Sequence, residues 1–151
     1  MIRLKNKTNL ISKGNIDVEI FPELVSFPIK NKYYWRIYYW KNTKSFLENT
    51  PFDSKEKDIM AAFISSPYKN NQPQSLLGEL HFVKNKWNPQ IVNHEVMHGI
   101  FRLISDFYPN KVSMFTKCDK CIYGNLEEHM CELSSQVISN VLKFLKEANR
   151  K

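Results

Sequence analysis

Apolar and polar residues alternate with a period of two from Ile16 to Ile20, the spacing of a strand with one buried face. Pro22 and Pro28 then interrupt any continuous ladder. The run Tyr33-Tyr34-Trp35-Arg36-Ile37-Tyr38-Tyr39-Trp40 is dense in aromatic and β-branched side chains and predicts a second strand. Such a run could stack bases, but only Arg36 brings a positive charge into it, so a sheet face is the better expectation. Asp58 to Ser65 is mostly apolar and fits a strand or a short helix; Ser65-Ser66-Pro67 ends it so soon that a strand is the better expectation. The polar stretch from Asn70 to Gln74 contains a proline and reads as a loop. Leu76 to Val83 predicts the fourth strand.

The period then changes. Asn88-Pro89 is a helix start: asparagine can cap free amide groups, and proline at the first helical position sacrifices no hydrogen bond. Ile91, Val92, Val96, Ile100, Leu103 and Ile104 follow at helical spacing, and Tyr108-Pro109-Asn110 stops the run. Residues 111 to 124 read as a connecting loop carrying Cys118 and Cys121. A second helix starts near Asn125, with Met130, Leu133, Val137, Val141, Leu142 and Leu145 on its apolar side. Strands come first and helices later, the order of an α+β fold: an N-terminal, mostly antiparallel sheet, one helix, then a C-terminal helix. With 151 residues, no internal repeat and no linker, the chain reads as a single domain over 1–151.

Composition narrows the class. Hydrophobic residues at 42% and charged residues at 25% exclude a wholly disordered or collagen-like chain. No stretch approaches the ~18 uninterrupted apolar residues of a membrane span. Basic residues near Met1 are followed by no apolar region, so no secretory signal is expected. Three cysteines, an odd number, fit a reducing cytoplasm better than a disulfide scaffold. The net charge of +7 raises a nucleic-acid partner. The lysines are scattered, however, and Lys30 with Lys32 is too short a patch to track a phosphate backbone. A solvated Lys/Asn-rich surface is the simpler reading, with nucleic-acid association as the weaker one.

The chemistry concentrates in His94-Glu95-Val96-Met97-His98, an H-E-x-x-H sequence on the first helix. Residues four apart lie one turn along the same face, so both imidazoles can aim at one point. Zn²⁺ accepts neutral imidazole nitrogens, and two such ligands leave room for a third protein donor and a water. Glu95, one residue after the first histidine, falls beside the metal position rather than on it. There it can act as general base on a metal-activated water attacking a carbonyl. A metzincin would carry glycine and histidine where this chain has Phe101 and Ile104, which excludes that branch. A carboxylate in the first turn of the second helix can complete a tetrahedral site if the two helices face each other.

These residues resemble the gluzincins, metallopeptidases with H-E-x-x-H on one helix and a glutamate ligand on a following one. Their second motif often reads Glu-x-x-small-Asp. Glu128-His129-Met130-Cys131-Glu132 is similar to it, with Cys131 as the small residue and Glu132 in place of the aspartate that supports a ligating histidine. The resemblance implies a minimal zincin-like fold, Zn²⁺ held by His94, His98 and Glu128, and a polypeptide substrate. Glu127 and His129 are alternative third ligands. The chain is also similar in its brevity to small zincin-like proteins of bacteria and their phages. His129, Tyr123 and Tyr108 are candidates for stabilising the transition state. Glu79-Leu80-His81-Phe82 stands where zincins place the strand that pairs with substrate, and His81 is expected on a strand surface rather than on the metal.

Cys118 and Cys121 form a Cys-x-x-Cys pair that suits reduced thiols, half of a second metal site or a redox pair. Cys131 and His129, two apart on a helix, point in different directions and do not join one metal. The sequence therefore implies a zinc metallopeptidase, a hydrolase. The alternative is a non-catalytic protein, regulatory or nucleic-acid-associated, that keeps the metal as a staple.

Overall fold

A computed structural model describes residues 9–20, 25, 27–52, 59–108 and 122–151, with side chains in the last segment described from Glu128 onward. Four strands, β1 (Leu10–Val18), β2 (Tyr33–Trp40), β3 (Ala61–Ser65) and β4 (Leu76–Val83), form one sheet in the order β1-β2-β4-β3. The outer pairs β1·β2 and β3·β4 are antiparallel, and the central pair β2·β4 is parallel. Helix α1 (Thr43–Glu48) packs on one face, and α2 (Pro89–Phe107) and α3 (Ile122–Ala148) cover the other. This is the α+β order that the change of period implies. Among the described residues no helix is long and apolar enough to cross a membrane.

The aromatic density of β2 has a positional cause. Trp35, Ile37 and Tyr39 enter the core under α2 and α3, while Tyr38 and Trp40 enter a smaller core with Phe46 of α1. A central strand covered on both faces has no need of a polar side. β4 is buried at every position for the same reason. β1 begins at Leu10, earlier than the alternation from Ile16 suggests. Its first half carries Ser12, Lys13 and Asn15, and pairing with β2 rather than its own pattern makes it a strand.

Two local features follow from asparagine chemistry. Lys69 and Gln72 exchange backbone hydrogen bonds of 3.0 and 3.1 Å across Asn70 and Asn71. Both asparagines have positive φ (54° and 59°), the backbone a two-residue hairpin turn requires and asparagine tolerates. Asn42 caps α1 by accepting the Ser45 N–H at 2.9 Å. This six-residue helix was too short to leave a period in the sequence. α3 begins at Ile122 rather than near Asn125. Cys118 and Cys121 lie outside the described residues, and Cys131 is a free, exposed thiol on α3.

His81, expected on a strand surface, is instead 0% exposed. β4 lies inside the sheet, and the α1 side closes over it. Trp40 Nε1–H donates to His81 Nδ1 at 3.0 Å, and the imidazole stacks on the Tyr38 ring with centroids 4.7 Å apart. His81 Nε2 lies 3.7 Å from Glu79 Oε2. Burial holds the His81 pKa below its usual value, against an upward pull from Glu79. The imidazole is thus neutral, with Nδ1 accepting and the proton on Nε2.

Gly99 sets how closely α2 approaches the sheet. A Cβ at this position would stand 2.7 Å from the buried Trp35 ring and 3.1 Å from Phe63. Gly78 on β4 makes a matching notch, where a Cβ would meet the Phe63 ring at 2.6 Å and Ile64 O at 2.8 Å. Trp35 and Phe63 meet edge to face, with centroids 5.5 Å apart, between these notches.

Gly99→Ala is therefore expected to lower stability by about 1–3 kcal/mol through overpacking, outweighing the gain of about 1 kcal/mol in helix propensity. A urea melt measures the sign, and a stabilised variant would refute the close-contact argument. A pH series tests His81. Its folded pKa is depressed, so the unfolded chain alone takes up the proton as pH falls below about 6.5, and stability decreases there. His81→Asn keeps an acceptor for Trp40 and should remove that part of the slope.

Candidate metal centre

α2 starts where the Asn88 side chain accepts the Ile91 N–H at 2.9 Å, with Pro89 in the first turn. Val92, Val96, Ile100 and Leu103 anchor its inner stripe in the core. That anchoring fixes the rotation of the helix and leaves His94 and His98 on the exposed flank. Their Nε2 atoms stand 3.1 Å apart, and the rings cross at 84°. Two imidazole nitrogens bound to one zinc at ~2.0–2.1 Å with a tetrahedral angle are about 3.3 Å apart. The pair fits that cation in both donor chemistry and spacing.

Glu95 turns to the other side of the pair, toward β3, and is half-buried. Burial raises its pKa; His94, His98 and the backbone N–H of Phe63, which donates to its carboxylate, draw it back down. The Phe63 contact reveals which way β3 faces. Ser66 N–H bonds Leu77 O at 3.0 Å, so antiparallel alternation directs Ile64 and Ala62 toward β4. Ala61, Phe63 and Ser65 therefore turn their N–H and C=O groups to the open edge beside Glu95.

A cavity of about 380 Å³ lies along this edge, with Ala61, Phe63 and Ser65 on one wall and Glu95, His98 and Arg102 on the other. A second hollow, lined by Gln90, Met97 and the 63%-exposed Phe101, touches the histidine pair from the outer flank of α2. His98 thus stands between two concave surfaces, with His94 on the outer one. The substrate-pairing strand is not at Glu79–Phe82 as expected: β4 is hydrogen-bonded on both sides, and among the described residues β3 is the edge strand beside Glu95.

His94, His98 and Glu95 come together as their spacing implies. Glu128 is exposed on α3, and Glu132 likewise. Among the described residues no group of three or more His, Cys, Asp or Glu side chains is placed to hold a metal ion. The Glu127 and Tyr123 side chains lie outside those described. His129 directs Nε2 at Glu19 O, 3.3 Å away at the end of β1, and Tyr108 is buried in the core as the C-cap of α2.

Three contributors lie outside the H-E-x-x-H motif: the Phe63 amide, Arg102 and Asp106. The Phe63 amide is a strand–helix docking contact and leaves no trace in spacing. Arg102 and Asp106 do leave one, since they continue the four-residue interval from His94 and His98 along α2. Comparison with known protein families, with characterised proteins and with solved structures finds no match.

Proposed function

We propose that the chain is a zinc-dependent metallopeptidase in which His94 and His98 hold the metal and Glu95 is the general base. The observation that carries this is the convergence of the two Nε2 atoms at 3.1 Å on a helix whose intervening glutamate faces an open strand edge. The third donor is assigned to Glu128 on the gluzincin resemblance; α3, which carries it, packs on α2. Zinc, when bound, supplies Lewis acidity to a carbonyl and to water. Glu95 takes the proton of the attacking water on its carboxylate and delivers it to the departing amine nitrogen. The Phe63 N–H donates to the Glu95 carboxylate, which lines the cleft. Ala61 and Ser65, flanking Phe63 on the open edge, offer main-chain groups to an extended polypeptide with little demand on its sequence.

Metal analysis of the purified protein should find about one zinc per chain, lost in His94→Ala and weakened in Glu128→Ala. Glu95→Gln should keep the zinc and lower hydrolysis of an unfolded protein substrate by about 10²–10⁴-fold. Absence of zinc, with stability unchanged in His94→Ala, refutes the assignment. Bound zinc without hydrolysis of any peptide would instead identify a metal-stapled binding protein.

A further inference from the structure

One charged side chain in the cleft has no role in that chemistry. Arg102 lies one turn beyond His98 and, among the described residues, is the sole permanent cation lining the 380 Å³ cavity. Its Nε bonds Asp106 Oδ1 at 3.0 Å, one further turn along α2. Its guanidinium carbon stands 5.6 Å from the centre of the Tyr68 ring, and the Tyr68 hydroxyl donates to the same Asp106 oxygen. Asp106 is only 7% exposed, whereas Arg102 is 45% exposed. Burial and the Asp106 carboxylate push the Tyr68 pKa up to about 12, so the phenol stays a proton donor at ordinary pH.

An exposed Arg–Asp pair on a helix ordinarily contributes little and leaves both side chains mobile. Here the acid is sunk into the protein, and a tyrosine from the β3–β4 connection clamps both partners. The arginine is therefore held in place without being covered. A guanidinium carries five N–H donors in a fixed fork, so the bonds to Asp106 and Tyr68 still leave donors for a ligand. A preorganised fork of this kind matches a carboxylate.

We propose that Arg102, positioned by Asp106 and Tyr68, is an anion-recognising subsite that makes the cleft prefer polypeptides with a carboxylate a few residues from the reacting carbonyl. The distance follows from the helix. Seven residues separate Glu95 from Arg102, about 10 Å of helical rise, which equals about three residues of extended chain. Besides Ser65, Glu95 and His98, the described wall is apolar, with Phe52, Ile59, Ala61 and Phe63, so among the described residues Arg102 is the permanent cation a carboxylate meets there. The proposal rests on the peptidase reading for its ligand class, and its carboxylate has two sources: an Asp or Glu side chain, or the chain terminus.

The test measures binding rather than turnover, on full-length zinc-loaded Glu95→Gln protein. The probes are fluorescent Ala/Leu decapeptides with one glutamate at each position in turn, their glutamine counterparts, and each peptide with a free or amidated C-terminus. At one or two adjacent positions glutamate should bind about tenfold tighter than glutamine, as a charged hydrogen bond at a partly exposed site gives. If the terminus is the source, amidation produces the loss instead. Adding Arg102→Gln should abolish the preference, Arg102→Lys should retain part of it, and Asp106→Asn should reduce it, with thermal melts confirming that each variant folds. Equal binding of all peptides, no binding of any, or a preference that survives Arg102→Gln overturns the proposal. Charge-selective binding by a protein whose wild-type form cleaves nothing refutes the peptidase reading alone, whereas cleavage without charge preference refutes the subsite alone.

Discussion

The approach of α2 to the sheet at Gly99 is the constraint on which the candidate centre depends. The indole of Trp35 occupies the space a side chain would take, and Phe63 from the edge strand closes against the same ring. This contact sits one residue from His98 and within one turn of Glu95. Glu95 can meet the Phe63 amide because helix and strand are drawn that close. A helix held farther out would present the same two histidines to solvent, with no strand edge beside them and no partner for the glutamate. The site is thus a by-product of core geometry: the side chains that bury Trp35 and Phe63 also set the width of the cleft.

The histidines illustrate how environment assigns roles to one residue type. His81 is enclosed among Tyr38, Trp40 and Phe46, neutral, and committed to the Trp40 indole. His94 and His98 stand on an exposed flank with their ring nitrogens facing each other. Low dielectric around the first favours a fixed tautomer and no charge. Solvent access at the others leaves their lone pairs available to a cation. The sheet separates the two environments, one on each face, so titration in the α1-side core need not disturb the cleft.

α2 gathers the functional groups along one line. Its capped N-terminus sets the start, its apolar stripe sets the rotation, and the four-residue interval then brings His94, His98, Arg102 and Asp106 up one flank. Glu95, one step round the cylinder, falls on the β3 side. The side chains of the cleft are therefore graded along the helix axis, from the histidine pair at one end to a braced cation at the other.

Much of this was legible before folding. The α+β order, the strand at β2, the cap at Asn88-Pro89, and the shared face of His94 and His98 follow from local rules, in which spacing along the chain dictates direction in space. Tertiary structure alone decided the rest. The parallel pairing of β2 with β4 makes β4 an interior strand, which buries His81 and, among the described residues, leaves β3 as the edge strand beside Glu95. The six residues of α1 form a helix because the second core needs Phe46, not because they carry a period. The contact of Phe63 with Glu95 joins segments more than thirty residues apart, as does the grip of Tyr68 on Asp106. Periodicity reports which way a side chain leaves its own element. It carries no information about which neighbour occupies the far side of the gap, because that is fixed by strand order and by how closely the layers can approach.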